Sequence, residues 1–259
     1  PVSQRDGTIN GEETVSWVSY TYPFNVTRRP AGTTTAGFTA DGMPNGSGAP
    51  LFSYSAGGNW GNDVLLWAET SSGNLNVFLD GQRFQTDIAN ADVFDGEEHT
   101  VSFTWDQETG ELIVYVDGVA EYEQDVSVSD LSADGTVALG QEQDNEGGGF
   151  DSNQVFEGEI SEVRIYEDAL SEGDIAGNAA GDVTQDGLVT NWQMDEAVDG
   201  VVADLVGNND LVLANGAEIA NIADAGALTV SENTPGARIG TLSATDPDAG
   251  DTITYTVSD

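Results

Sequence analysis

The sequence predicts an all-β fold, an antiparallel sandwich, on three observations. Short runs of alternating apolar and polar residues recur along the chain, glycine- and aspartate-rich turns separate them, and a single segment carries a convincing helix start. The clearest run is residues 100–105, where Val101, Phe103 and Trp105 repeat at period two around Ser102 and Thr104. That alternation marks a strand with one buried face. Residues 106–110 then read as a turn, residues 112–116 as a second strand and Asp117-Gly118 as the next turn, a hairpin pattern. Further strands are predicted at residues 50–54, 64–67, 75–79, 136–139 and 160–166. The helix signal is residues 171–175, with Ser171 and Asp174 at capping-box spacing.

Composition narrows the function. A chain of 259 residues buries roughly three quarters of its surface on folding, so it builds a core without staples. It has no cysteine, which removes disulfides, thiolate metal sites and thiol nucleophiles together. Six arginines and no lysine face 46 acidic residues, a formal net charge of −40. Nucleic acid or an anionic membrane needs a basic patch, and none can be assembled from six cations. The 38% hydrophobic content, with five tryptophans and nine phenylalanines, excludes disorder as the reason for the acidity. Such self-repulsion calls for salt or bound divalent cations, so an extracellular, calcium-loaded protein is expected. No apolar run is long enough to span a bilayer, and no basic-then-apolar leader opens the sequence, so an export signal is expected outside this segment.

Composition changes again near residues 222–226. The expected domains are residues 1–225 and residues 226–259. The second stretch reads as strands but is too short for a core of its own, so the sequence is expected to be cut from a longer, multi-domain chain.

One loop carries the chemistry. Calcium takes six to eight oxygens from carboxylates, amide and backbone carbonyls and water. Within residues 141–154, Glu142, Asp144 and Asp151 offer carboxylates, while Gln143 and Gln154 offer side-chain or backbone carbonyls. Glycines 147–149 let the chain fold back so that 151 and 154 face 142–144, and no arginine lies in the loop to neutralise it. The competing reading of the loop alone is a solvated acidic turn.

The text Ala138-Leu-Gly-Gln-Glu-Gln-Asp144, Gly147-Gly-Gly-Phe-Asp151, Gln154, Gly158-Glu-Ile160 and Ala169-Leu-Ser-Glu172 resembles the pentraxin and laminin-G-like branch of the concanavalin A-like lectin fold. Leu51-Phe-Ser-Tyr54, residues 62–67, His99-Thr-Val101 and Val116-Asp-Gly118 fit the same family in order upstream, and Gly187-Leu-Val-Thr-Asn-Trp192 downstream. The resemblance covers roughly residues 13–222. It implies a jelly-roll sandwich and a calcium site completed by Asn62 on an earlier strand. The family's acidic position beside that asparagine falls on Gly61, which has no side chain to give, and strand alternation points the adjacent Asp63 away from Asn62. A calcium with open positions accepts two neighbouring sugar hydroxyls in place of water. Trp60, in a glycine-flanked loop, is the candidate for stacking on the sugar ring, with Asn59 as a hydrogen-bond partner. Trp67 matches a ligand-side aromatic of the family and reads equally well as core. Trp17, Trp105 and Trp192 read as core.

The tail is similar to the opening of a bacterial cadherin-like repeat, on Val230-Ser-Glu-Asn233 and Gly240-Thr-Leu-Ser-Ala-Thr-Asp246-Pro-Asp248. The resemblance implies a large, exported, RTX-type surface adhesin, with Glu232, Asp246, Asp248 and Asp251 as inter-repeat calcium ligands. His99, the one histidine, reads as structural, because no glycine-flanked serine elbow accompanies it. Glu157, Glu159 and Glu162 give the rival reading of a glucanase-type hydrolase; a calcium-stiffened spacer or protein-binding module is the other. Asp182 to Gly187 resembles an EF-hand start but has Gln193 at the twelfth position, and Asn25 and Asn45 are sequons by pattern only. The expectation is therefore a non-enzymatic, calcium-dependent carbohydrate-binding domain. It would be a monomeric module on a bacterial cell surface, meeting glycans rather than nucleic acid or membrane.

Overall fold

The computed structural model describes residues 31–56, 63–129, 131–214 and 216–219, with the backbone of four short strands before them. The chain divides at Asn221/Ile222, and the second unit, Ile222–Asp259, lies wholly outside the described residues. The strands are β1 (Val2–Ser3), β2 (Gly7–Ile9), β3 (Glu12–Thr14), β4 (Trp17–Ser19), β5 (Ala31–Asp41), β6 (Gly48–Ser55), β7 (Val64–Glu69), β8 (Asn74–Leu79) and β9 (Gln82–Ala89). They continue with β10 (Asp95–Asp106), β11 (Glu111–Val116), β12 (Val119–Asp125), β13 (Thr136–Leu139), β14 (Glu159–Tyr166), β15 (Leu188–Gln193), β16 (Val201–Val202), β17 (Leu211–Ala214) and β18 (Glu218–Ile219). One helix, α1 (Glu172–Ala179), accompanies them.

Two antiparallel sheets form a sandwich. One runs β12-β11-β10-β5-β14-β1-β18, with β15 also on β14; the other runs β16-β17-β4-β13-β6-β7-β8-β9. Each predicted strand is present, extended by a few residues at most except for β10, which begins at Asp95. The period-two reading holds: Val101, Phe103 and Trp105 enter the core and pair through β10 with β11. Trp192 is fully buried and Trp105 nearly so, as core residues. The Asp117-Gly118 turn has φ of 49° and 80°, the left-handed pair that a two-residue hairpin needs. The helix keeps its predicted cap, with the Asp174 amide donating to Ser171 Oγ at 3.3 Å, and runs a turn beyond the sequence signal.

No alternating pattern marks β5, the strand between β10 and β14 at the centre of its sheet. Its residues are AGTTTAGFTAD, buried along nearly the whole length. A strand covered on both faces has no apolar–polar alternation to show. Small residues are required here, since a side chain at Gly32 would collide with the Trp105 ring.

β13 and β6 position the candidate loop. Leu139 pairs with Phe52, and the chain then leaves the sheet at Gly140. It returns through a single bridge between Gln141 and Val155, with the Phe156 amide donating to the Gly140 carbonyl at 3.0 Å. Phe156 is fully buried and packs edge-on against Phe38 and Phe94, at centroid separations of 5.9 and 6.1 Å. Residues 141–155 are thus an excursion anchored in the core at both ends.

Candidate functional site

Four carboxylates and five side-chain amides share the excursion, and the structure gives them different tasks. Glu142 is 3% exposed, Gln143 fully buried, Asp144 half-buried and Asp151 exposed. The Gln143 side chain is a clamp. Its Nε2 lies 3.1–3.2 Å from the carbonyls of Ser53 and Thr136 and from Ser53 Oγ, while its Oε1 accepts from the Gly147 amide at 2.9 Å. With its amide oxygen engaged by Gly147, the backbone carbonyl is the one of its two expected donors that the clamp leaves for an ion. Glutamine suits the clamp because one amide both donates and accepts.

Gln141, not among the expected site residues, ties the two arms together. Its Nε2 donates to the Asp151 carbonyl at 3.1 Å, and its Oε1 accepts from the Glu142 amide at 3.2 Å. The Gln154 amide adds a second bond to the Asp151 carbonyl at 3.1 Å. The predicted fold-back at glycines 147–149 is present: Asn145 and Gly148 form a bridge, and Gly147 and Gly149 have φ of 66° and 75°. A Cβ on Gly149 would lie 2.5 Å from that of Asp144, so glycine is required there by contact as well as conformation. The Ser47 amide donates to the Asn153 carbonyl at 2.8 Å, strapping the preceding loop to the tip. Nothing in the apolar periodicity marks Gln141, Ser47 or Asn153; their roles follow from chain reversals that only the fold creates.

What is left unsatisfied points to a ligand. Gln154 Oε1 is buried and has no hydrogen-bond partner among the described residues. Asp144 and Asp151 make no side-chain hydrogen bond or ion pair among them. The donors are oxygens throughout, the set a hard cation such as calcium takes, and the buried amide oxygen suits it. The structure departs from expectation in one respect: among the described residues, no three of Asp, Glu and His gather as a metal cluster, so Glu142, Asp144 and Asp151 stand apart. Their mutual repulsion works against gathering.

Of the other expected contributors, Asn59, Trp60 and Asn62 lie outside the described residues, as do Glu232, Asp246, Asp248 and Asp251. Asp63 points its carboxylate at the Ala56 amide, 2.7 Å away, closing the base of the 57–62 segment. Burial pushes its carboxyl above the ordinary range, partly offset by that bond. Trp67 takes the second of its two expected settings, packing in the core: it is 9% exposed, with its ring against the Gly48 backbone. Tyr54 braces the turn before β13, donating to the Ser132 carbonyl at 2.7 Å and accepting from Gly135 at 3.0 Å; burial pushes its phenol up to about 12.

The rival constellations dissolve. Glu162 is ion-paired with Arg164, and Glu157 and Glu159 are exposed. His99 is structural, its Nδ1 2.8 Å from Asp117 and its Nε2 3.2 Å from Asp95. No helix among the described residues is long and apolar enough to cross a membrane.

Similarity to known proteins agrees with this geometry. Jeltraxin of Lepidobatrachus laevis is 31% identical over 144 residues, 55% of this chain and 62% of its own length. Neuronal pentraxin-1 of Rattus norvegicus is 30% identical over 132 residues, 50% of this chain and 29% of its own. The chain thus spans less than two thirds of these relatives. The native heptameric SAP-like pentraxin from Limulus polyphemus shares the fold, with a TM-score of 0.59 at 20% identity over 84% of this chain and 92% of that one. The Pentaxin family model matches residues 16–203, most of the chain, and the protein belongs to the Pentaxin family.

Proposed function

We propose that this chain is a calcium-dependent carbohydrate-binding module of an extracellular protein. The observation that carries the reading is the 141–154 excursion. There a buried Gln154 Oε1 and the carboxylates of Asp144 and Asp151, all without a hydrogen-bond partner among the described residues, are held on a frame of Gln141 and Gln143 bonds. Glu142, Asp144 and Asp151 would hold the ion through carboxylates, Gln154 through its amide oxygen, Gln143 through its backbone carbonyl, and Asn62 from the neighbouring segment. The ion, when bound, supplies positions that two adjacent sugar hydroxyls fill. The chain's own residues fix the geometry: Gln143 holds the loop against β6 and β13, Gln141 sets the spacing of its arms, and Phe156 anchors its return. Trp60 and Asn59 are the residues proposed to meet the sugar beside the ion.

The context is an exported surface adhesin, on the resemblance of residues 228–259 to the start of a cadherin-like repeat, with Glu232, Asp246, Asp248 and Asp251 as ligands of further calcium ions. Repetition of weak single sites along such a chain supplies avidity.

The test is a glycan array at millimolar calcium, repeated in excess chelator and with Asp144→Ala. Signals that vanish in both arms support the reading. Signals that survive both move binding away from the loop, and a calcium-stabilised protein that ignores every glycan leaves a structural ion only.

A further inference from the structure

The two sheets end side by side in β9 and β12, and a cavity of about 310 Å³ opens between these last strands. Its lining is aliphatic at Ile88, Val93 and Val116 and acidic at Asp87, Asp92 and Glu121. Ile88 and Val93 are buried, while the three carboxylates are exposed, so the cavity has an apolar floor beneath a negative rim. Glu121 reaches it through an irregularity of the sheet: the register of β11 and β12 shifts between Val114 and Tyr115, leaving Glu121 as the extra residue of a bulge. Bulges re-aim side chains, and this one turns an acid into the gap. The Asp87 charge is felt across it, adding to burial in holding the Tyr122 phenol above its ordinary range.

Among the described residues, no cation meets this rim. Asp87, Asp92 and Glu121 make no ion pair or side-chain hydrogen bond among the described residues, and the two described arginines pair elsewhere, Arg83 with Glu69 and Arg164 with Glu162. The three carboxylates stand spaced around the opening rather than gathered in one cluster. An aliphatic floor under spaced carboxylates matches a cation on a hydrocarbon stem, which is the chemistry of a lysine side chain. β12 is also an edge strand, with Glu121, Glu123 and Asp125 along it and its outer backbone groups unpaired among the described strands. An extended segment can add to such an edge by backbone pairing.

We infer that this cavity and the β12 edge dock an extended, lysine-bearing basic segment of another polypeptide, one lysine stem lying over Ile88, Val93 and Val116 with its ammonium at the Asp87–Asp92–Glu121 rim. The site is separate from the calcium loop and independent of it.

The test is binding of a capped octalysine peptide to the whole 259-residue chain in chelator, followed by fluorescence anisotropy. Three proteins are compared: wild type, the rim triple D87N/D92N/E121Q, and a control triple D182N/D195N/E108Q that removes the same charge from exposed surface elsewhere. The rim triple is expected to weaken binding about tenfold or more and the control less than about twofold. Equal losses in both triples would reduce the effect to general attraction by an acidic surface and overturn the inference, as would no binding by wild type. Spermine binding as tightly as the peptide, with the same rim dependence, would replace the polypeptide partner by a free amine and overturn it too.

Discussion

Two acidic turns in this protein look alike in sequence and differ in what they leave unsatisfied. In the turn after β16, Asp204 is 8% exposed and its carboxylate accepts five hydrogen bonds. The amides of Asn191 and Val206 donate to Oδ1 at 3.0 and 3.1 Å; the Asn209 amide, Asn209 Nδ2 and Thr190 Oγ1 reach Oδ2 at 3.2–3.4 Å. Gly207 makes room, since a Cβ there would stand 2.7 Å from Oδ2. In the 141–154 excursion the hydrogen bonding is spent on glutamines, while Asp144 and Asp151 have no side-chain partner among the described residues. A carboxylate saturated by the protein is a structural staple. One that is held in place with no partner among the described residues has the setting of the cation ligand proposed above.

Four substitutions should separate the two turns and the histidine site, in descending order of effect. Asp204→Ala strands five donors inside the fold, so a loss of about 3 kcal/mol of stability is expected, equal with and without calcium, in urea melts. Gln143→Ala removes a buried four-bond clamp; about 2 kcal/mol is expected in chelator, together with weaker calcium binding by titration calorimetry. Asp144→Ala inverts the pattern of Asp204: stability in chelator stays within about 0.5 kcal/mol of wild type, while the calcium-induced gain disappears. For wild type that gain is about 2.7 kcal/mol at a hundredfold excess of calcium over Kd.

The smallest effect belongs to His99. Partial burial lowers its pKa, but hydrogen bonds and charge from Asp117 and Asp95 outweigh this, and the folded value is raised. The stabilisation is therefore fully present below the unfolded pKa of about 6.5 and is lost as pH rises through the higher folded value. Because both partner carboxylates are exposed, screening keeps it below about 1 kcal/mol. Melts across neutral pH of wild type and His99→Gln are expected to differ by that slope, and a stability rising with pH in wild type relative to the variant would contradict the sign.

Legibility followed the number of faces each element exposes. β10 and β11 bury alternate side chains, and their period was plain in the sequence. β5 buries both faces with threonine, alanine and glycine, and was invisible for that reason. In the loop, residue types announced an oxygen-donor site, and glycines 147–149 announced the reversal. The division of labour did not show. Gln143 and Gln154 are the same amino acid eleven positions apart, yet one amide is saturated by Ser53, Thr136 and Gly147 while the other keeps a buried oxygen free of partners among the described residues. That distinction depends on which strand each meets after folding, and no local pattern encodes it. Trp67 shows the same limit: its place beside Gly48 is set by the β6–β7 register, which turns a candidate sugar platform into packing.

On the proposed reading, the 141–154 excursion takes a cation and the Asp204 turn does not. Calorimetric titration of calcium into the whole chain, in parallel with Asp144→Ala and a folded Asp204→Asn variant, tests it directly. Saturable binding that Asp144→Ala abolishes and Asp204→Asn retains is the expected result. Binding that survives Asp144→Ala, or no saturable binding to wild type, would contradict it.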